Sequence, residues 1–421
     1  MTARSATAVL AGLDGVRDDL ESFYRDLHQH PELSHQETKT AAKVADRLQT
    51  AGFHVTTGVG GTGVVGILAN GDGPRVLLRA DMDALPVREA TGLDYASEAT
   101  STDADGNTVP VMHACGHDVH VACLATAAAL LAAGKDQWSG TLIALFQPAE
   151  EVANGARGMV EGGLQDLVGP VDVALGQHVL PMPSGSVGTR VGPVLSAADS
   201  LRVTVHGRGA HGSMPQAAID PVVLAAMIVI RLQTIVSREI APTQPAVLTV
   251  GSIHAGTKSN VIGDSAVIDL NVRTYDEQVR SQVLEAIERI VRAECVASGS
   301  PKEPDFERYD EFPVTTNDQA VTERTAAAFT DFFGDAAGEL PLQTASEDFS
   351  DIPNAFGVPY SYWGIGGIDP DTYAAAERAG RVSSDIPVNH SPYFAPVIQP
   401  TLDVGTQALV VAALAQLGSG A

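Results

Sequence analysis

The sequence predicts an α/β protein: a mixed β-sheet flanked by helices, interrupted by a smaller ferredoxin-like β-α-β-β-α-β domain. Three observations carry this. Short apolar runs alternate with helical patterns through the first half of the chain, as they do in a sheet covered on both faces. Beyond residue 195 the order changes to β-α-β-β-α-β, the split unit of a small separate domain. Helix and strand signals then resume and close on an apolar helix that returns to the first sheet. The expected division is therefore 1–195 and 311–421 for the larger domain and 196–310 for the insert.

Element by element, Val16, Leu20, Phe23 and Leu27 recur at steps of four, three and four, so one face of a helix is apolar until Pro31 stops it. A second helix fits Thr38 to Thr50, with Gly52 as its stop. Apolar runs at Gly63 to Ala69 and Arg75 to Leu78 read as strands, Val119 to Ala133 as a buried helix, and Thr141 to Phe146 and Val171 to Leu175 as further strands. In the insert, Leu201, Val203 and Val205 alternate as a half-buried strand. A helix over about Ile219 to Val236 follows, then strands near Ala246 to His254 and Asp264 to Val272. Val279, Val283, Ile287 and Ile290 share one face of a helix at Asp276 to Ala297, and a strand at Asp305 to Tyr309 completes the unit. Thr344-Ala345-Ser346-Glu347 fits the capping box of a helix. The last helix is Pro400 to Leu417.

Composition narrows the function. The 421 residues carry 26 Lys+Arg against 51 Asp+Glu, a net charge of −25. That argues against a nucleic-acid binder, whose affinity comes from cations displacing phosphate counterions. With 44% hydrophobic and 18% charged residues the chain is globular. Three cysteines, Cys115, Cys123 and Cys295, are too few for a disulfide scaffold and fit a reducing compartment, so a cytoplasmic protein is expected. No signal peptide is expected in Met1 to Leu13, and no bilayer span in the Ala-rich run Val119 to Gly134, which is shorter than the ~20 residues a membrane helix needs.

The chemistry concentrates in a few segments. Met112 to His120 packs three His, one Cys and one Asp into nine residues just before a buried helix. Thiolate and imidazole bind zinc-like divalent ions, and Cys115 and His117 across Gly116 can converge on one metal pair, with some neighbours orienting rather than ligating. The strand Thr141 to Phe146 runs into Gln147-Pro148-Ala149-Glu150-Glu151, where two adjacent carboxylates point in different directions: one can bind metal while its neighbour handles a proton. Val171 to Leu175 delivers His178 at another strand end, where open α/β sheets place their sites. Asp81 and Asp83 lie on the same side of an extended chain and can orient imidazoles. His390 sits between Pro387 and Pro392 in a stiff loop.

Taken with His28-Gln29-His30-Pro31-Glu32, Asp81 to Pro86, His113 to Asp118, Phe146 to Glu151, Gly209-Ala210-His211, Ser259 to Ile262 and Ser346 to Phe349, these motifs resemble the M20 metallopeptidases. The resemblance is to the amidohydrolase branch, which holds hippurate hydrolases, N-acyl-amino-acid hydrolases and auxin-conjugate hydrolases, and it runs from about residue 15 to 415. It implies a catalytic α/β domain interrupted by a lid through which subunits dimerise. It also implies two divalent metals held by Cys115, His117, Glu151, His178 and His390, with Glu150 as the general base. The cysteine stands where many members carry a bridging aspartate, and thiolate is softer than carboxylate. Metal identity therefore stays open, zinc or manganese first and cobalt or nickel as alternatives. In the lid, the resemblance implies that His211 stabilises the oxyanion, often in the partner subunit's site, and that Asn260 and Arg273 hold the substrate carboxylate. Read alone, His211 is a histidine in an exposed Gly-flanked loop, Asn260 a turn residue and Arg273 a strand-surface charge.

The expected activity is hydrolysis of the amide of an N-acyl amino acid, N-acetyl or N-benzoyl, releasing a carboxylic acid and an amino acid. The partners expected are that small molecule and a second copy of the chain, with neither nucleic acid nor membrane. Rival expectations are a dipeptidase or carboxypeptidase, an acyl-diaminopimelate deacylase, and a binding protein that has lost turnover. Two departures from the branch bear on the substrate: Gly263 where many relatives have Pro, and a long charged stretch from Gly366 to Asp385.

Overall fold

The apolar periodicities become two sets of packed elements in the computed structural model, which describes residues 2–420. One unit comprises Met1–Val194, Thr316–Leu342 and Asp348–Ala421; the other comprises Leu195–Thr315 and Gln343–Glu347.

In the first unit a mixed sheet runs in the order His54–Val59, Gly63–Asn70, Trp138–Gln147, Arg75–Asp81, Val173–Pro183, Tyr360–Ile368, Val187–Thr189 and Ala337–Glu339. Its four central strands are parallel to one another, and the strand beyond them on each side, Gly63–Asn70 and Val187–Thr189, pairs antiparallel with them. Those four strands are buried almost throughout, because helices cover both faces of such a sheet. Register aligns Asp81 with Gln147 and Arg79 with Gly176, so the ends of two parallel strands bring Asp81 and the Glu150–Glu151 turn level with His178. His178 lies in the middle of Val173–Pro183 rather than at a strand end as expected, because that strand runs on past Leu175 to pair with Tyr360–Ile368. Helix His117–Ala133 is apolar all round and packs against Ile398–Gln416 and Leu13–Gln29. Ile398–Gln416 and Pro221–Glu239 are each long and apolar enough to cross a bilayer on length and composition alone, but the former is mostly buried in this core.

Several elements escaped the sequence pattern. Tyr360–Ile368 lies inside the sheet yet contains Gly364, Gly366 and Gly367, which dilute a strand signal. A Cβ at Gly366 would meet the Pro183 carbonyl oxygen at 1.8 Å, so close backbone approach demands the glycine. His54–Val59 and the hairpin Thr100–Thr102 with Thr108–Pro110 are short, exposed pairs. The charged stretch after Gly366 forms helices Pro370–Arg378 and Val382–Asp385. The capping-box reading of Thr344 to Glu347 is overturned, since no helix starts there. The segment instead runs as loop to the helix Asp351–Phe356, with the Thr344 carbonyl accepting from Ser196 Oγ at 3.0 Å and Ser346 Oγ accepting from Arg273 Nη1 at 2.6 Å.

The second unit has an antiparallel sheet in the order Ala246–Ala255, Ser265–Thr274, Ala197–His206 and Asp305–Phe312. Helices Pro221–Thr234 and Glu277–Ser298 pack on it, giving the β-α-β-β-α-β order with the first strand central. Asp220 and Asp276 cap those helices through side-chain bonds to backbone N–H groups of their first turns. The core is Leu201, Val203 and Val205 against Leu224, Ile228, Ile268, Val283 and Ile287.

Candidate metal centre

Cys115, Gly116 and His117 lie at the start of the buried helix. Gly116 has φ 84, and a Cβ there would stand 2.3 Å from Val179 Cγ1. Glycine thus lets the loop close on the strand that carries His178, and Cys115 Sγ lies 3.4 Å from His178 Nε2.

Both imidazoles are fixed in one tautomer by backbone. His117 Nδ1 is 2.9 Å from the Asp83 carbonyl oxygen and His178 Nδ1 is 2.7 Å from that of Val179. A carbonyl only accepts, so the proton sits on Nδ1 and each Nε2 keeps a lone pair for a cation. His120 differs: its Nδ1 lies 2.5 Å from Asp81 Oδ1 while its Nε2 accepts the Val179 N–H at 2.8 Å. It has no nitrogen left and acts as a strut between Asp81 and the strand of His178. His113 is buried, and neither ring nitrogen has a hydrogen-bond partner among the described residues. It belongs to none of the clusters of ligand atoms.

The two carboxylates arrive on a single turn of 3₁₀ helix, Glu150–Val152, entered through Ala149 at φ 53 and left through Ala153 at φ 56. Glu151 Oε1 lies 3.8 Å and Glu150 Oε2 4.0 Å from His117 Nε2. His390, at φ 70, reaches the group from a half-exposed loop, with Nε2 at 3.3 Å from Glu151 Oε2 and its backbone N–H donated to the Ala114 carbonyl at 2.8 Å. The five ligand candidates therefore converge in overlapping sets: Cys115 with His117 and His178, Cys115 with Glu151 and His390, and His117 with Glu150 and Glu151.

Burial sets the electrostatics. It pushes the Cys115 thiol well above its ordinary pKa, with the Glu151 charge adding to the effect, and pushes Glu151 up to about 8. It holds His178 well below the usual imidazole range, helped by His120, and lowers His390. At His117 burial disfavours the cation, yet Asp81 and the other partners outweigh it and the pKa is raised. Asp81 is in turn held well below the carboxylate range: burial opposes its charge, but His117 and Arg79 overcome that. Positive charge is favoured at His117 while a thiol, a carboxyl and two neutral imidazoles stand around it.

A divalent cation fits that demand. His117 Nε2 and Glu151 Oε1 are buried and lack hydrogen-bond partners among the described residues. Leaving such lone pairs unpaired costs about 1–3 kcal/mol each, and a cation deprotonates a coordinating thiol outright. The soft thiolate, imidazole and carboxylate set suits zinc-like transition ions better than magnesium or calcium.

The residues behind the centre divide the orienting work. Asp81 braces His120, while Asp83 uses its carbonyl for His117 and its Oδ2 for the Glu151 N–H at 3.0 Å and Ser34 Oγ at 2.7 Å. Arg79, buried, donates to Asp81 at 2.6 Å and to Gln147 at 2.9 Å; Asp348 accepts from Gln147 at 2.6 Å and from the Ala156 N–H at 3.0 Å. Asn389 donates to the Cys115 carbonyl at 3.1 Å and the Val179 carbonyl at 3.2 Å, tying the His390 loop to two ligand segments. Sequence reasoning gave Arg79 and Asn389 no part, because Asn389 works through partners far along the chain and Arg79 joins its near neighbour Asp81 to the distant Gln147 and Asp348.

In the second unit, His211 and Asn260 stand side by side on a short ribbon: Ala210–His211 pairs with Val261–Ile262, and the Gly212 N–H donates to the Asn260 carbonyl at 2.8 Å. Both are exposed, and His211 Nδ1 lies 2.7 Å from Ser213 Oγ. Arg273 is half-buried, with Nη1 on Ser346 and Nε on Asn271 at 3.0 Å.

Similarity to known proteins agrees with this geometry. Residues 77–385 match the profile of peptidase family M20/M25/M40. The chain belongs to that family. It is 40% identical over 313 residues to thermostable carboxypeptidase 2 of Saccharolobus solfataricus, covering 73% of this chain and 76% of the relative. It is 37% identical over 357 residues to N-acetyl-L-cysteine deacetylase of Bacillus subtilis, covering 82% and 80%. Among solved structures, the YXEP protein of Bacillus subtilis, described as a dinuclear metal binding peptidase of the M20 family, superposes with TM-score 0.75 at 28% identity, over 95% of this chain and 98% of that one. As an M20 protein of the amidohydrolase branch, the chain is a metal-dependent hydrolase with a site for divalent metal.

Proposed function

We propose that this M20 hydrolase cleaves the amide bond of N-acyl amino acids, releasing a carboxylic acid and a free amino acid. The observation that carries the reading is the pairing of a buried carboxylate, Glu150, with its neighbour Glu151, both within 4.0 Å of His117 Nε2 on one rigid turn. Cys115, His117, Glu151, His178 and His390 would hold two divalent ions, which would supply Lewis acidity for the amide carbonyl and would lower the pKa of water from 15.7 to about 7. Glu150 takes the proton of the attacking water and returns it to the leaving amine nitrogen, so that one water adds across the C–N bond. His211 donates to the developing oxyanion, and removing such a donor typically costs about 10²–10³ in rate. Asn260 and Arg273 receive the substrate carboxylate.

The functional form is a homodimer through the second unit. Support comes from helix Pro221–Thr234, which leaves Val222, Val223, Met227 and Ile230 exposed, and from the edge strand Ala246–Ala255, which leaves Val247 and Ile253 exposed. Contiguous apolar surface and an open strand edge both call for a cover. In that dimer His211 serves the partner's site. All three cysteines are free and buried, in keeping with the reducing environment of the cytoplasm.

A second reading, cleavage of a peptide bond next to a free carboxylate, is favoured by the 40% identity to a carboxypeptidase. The test is a panel of N-acetyl amino acids, N-benzoyl amino acids and dipeptides offered to apoprotein reconstituted separately with zinc, manganese, cobalt and nickel. Turnover of the acyl substrates above the dipeptides supports the proposal, and the reverse order replaces it with the peptidase reading.

A further inference from the structure

Glu37 occupies the N-cap position of helix Thr38–Thr50, where a carboxylate would ordinarily bond the helix's own first N–H groups. Its side chain makes no such bond. It is fully buried and, among the described residues, pairs with no Lys or Arg, a costly state for a carboxylate. All its bonds are instead to neutral donors. Oε1 accepts the His35 N–H at 2.9 Å and, 112 residues along the chain, the Ala149 N–H at 2.9 Å; Oε2 accepts from Thr62 Oγ1 at 2.6 Å.

Ala149 is the left-handed residue through which the strand Trp138–Gln147 enters the turn bearing Glu150 and Glu151. An alanine in that conformation costs about 1–2 kcal/mol and persists only when its surroundings over-determine it. Besides the turn's own bond from the Gly155 N–H to the Ala149 carbonyl at 3.1 Å, three restraints come from one loop and its neighbour Asp83. Glu37 holds the Ala149 N–H, Asp83, itself bonded to Ser34, holds the Glu151 N–H, and His35 Nε2 lies 2.8 Å from Asn154 Oδ1 just beyond the turn. The loop 34–37 thus grips the turn at its entry and exit.

We propose that Glu37 is a positioning residue for hydrolysis: its carboxylate holds the Ala149 turn so that Glu150 faces the reacting water while Glu151 faces the metal. The proposal rests on the roles assigned above to that glutamate pair. It explains why an unpaired buried carboxylate persists so near an anionic centre.

The test compares Glu37→Met, Glu37→Gln and Glu37→Asp with Glu150→Gln in cobalt-reconstituted protein, using N-benzoylglycine or whichever N-acyl amino acid the panel ranks first. Methionine fills similar space but accepts no hydrogen bond from Ala149. Its kcat should fall about 10²-fold, the scale of a misplaced catalytic group, with KM changed only a few-fold and the melting temperature equal to or above wild type. The cobalt absorption spectrum should shift as Glu151 moves. Glutamine can still accept both N–H groups through Oε1 while its amide donates to the Thr62 hydroxyl, so kcat and spectrum should return. Aspartate, one methylene short, should behave as methionine does and provides the same comparison if the methionine variant does not fold. Wild-type kcat and spectrum in the methionine or aspartate variant, a glutamine variant as impaired as methionine, or losses that track the melting temperature would each overturn the proposal. Full activity in Glu150→Gln would instead bring down the functional reading itself, so the two failures are distinguishable.

Discussion

Glu150 and Glu151 are the same residue type one position apart, and only their placement separates their work. Glu150→Gln should keep fold and metal content but lose most turnover, because the amide matches the carboxylate in shape and cannot move the proton. Glu151→Gln should lose metal as well, since its Oε1 is an unpartnered atom of the cluster. Elemental analysis of both variants decides this; equal metal loss would refute the division of labour. Farther back, His28 is buried with Nδ1 at 2.7 Å from Asp118 and Nε2 at 3.1 Å from Glu89. Burial alone would lower its pKa, but bonds to Asp118 and Glu89 outweigh it and raise it to about 9. A folded-state pKa above the unfolded value of about 6.5 means stability fully present below pH 6.5 and lost as pH rises through 9, on the order of 3 kcal/mol in all. The difference in urea midpoint between wild type and His28→Gln should therefore shrink steadily across that window. A difference that stays flat would show that His28 is not charged in the fold. Such residues were hard to find in the sequence. Cys115, His117 and the Glu150–Glu151 pair announce themselves by type and density, whereas Glu37, Arg79 and Asn389 matter through partners 112, 269 and 274 positions away.

Elements were legible wherever one side chain period met one environment. Helix Glu277–Ser298 buries Val279, Val283, Ile287 and Ile290 along the single stripe that the spacing predicts, and Thr38–Thr50 has the expected bounds. The strand Tyr360–Ile368 was hidden because close packing against Leu180, Pro183 and Pro396 selects glycine, so packing itself erased the hydrophobic signal. Helix Pro221–Thr234 carries a different kind of information. One face, Leu224, Ala225, Ile228 and Leu232, is in the core, while Val222, Val223, Met227 and Ile230 are apolar and outward. A helix that is apolar all round expects cover on both sides. Ile230→Asp should therefore shift the protein toward monomer in sedimentation experiments with little effect on its fold, because the side chain is already 66% exposed. An unchanged dimer would remove this helix from the interface.

At the scale of the whole molecule, the proposed function makes metal and subunit partner parts of one site, and each is open to test. Chelation should abolish activity without unfolding the chain, since the core of the first unit is built from apolar contacts rather than from the ligands. Elemental analysis of fully active protein should give about two equivalents per chain, more ligand atoms converging than one tetrahedral ion uses. The dimer is tested by asking whether His211 acts across it. Glu150→Ala and His211→Ala chains should each be inactive alone. In a mixed dimer, the chain that keeps Glu150 receives an intact His211 from its partner, and the other site lacks both groups. Half of randomly paired dimers are mixed and one of their two sites is whole, so roughly a quarter of wild-type sites should recover in a two-fold symmetric assembly. If His211 served its own chain, every site in a mixed dimer would still miss one group and activity would stay at background. Recovery must also be absent when the two homodimers are purified apart and kept from exchanging, because complementation requires that one site draw on two chains. A folded mixed dimer without recovered activity would place His211 in its own subunit's chemistry or outside the chemistry altogether, and would leave dimerisation without a catalytic reason.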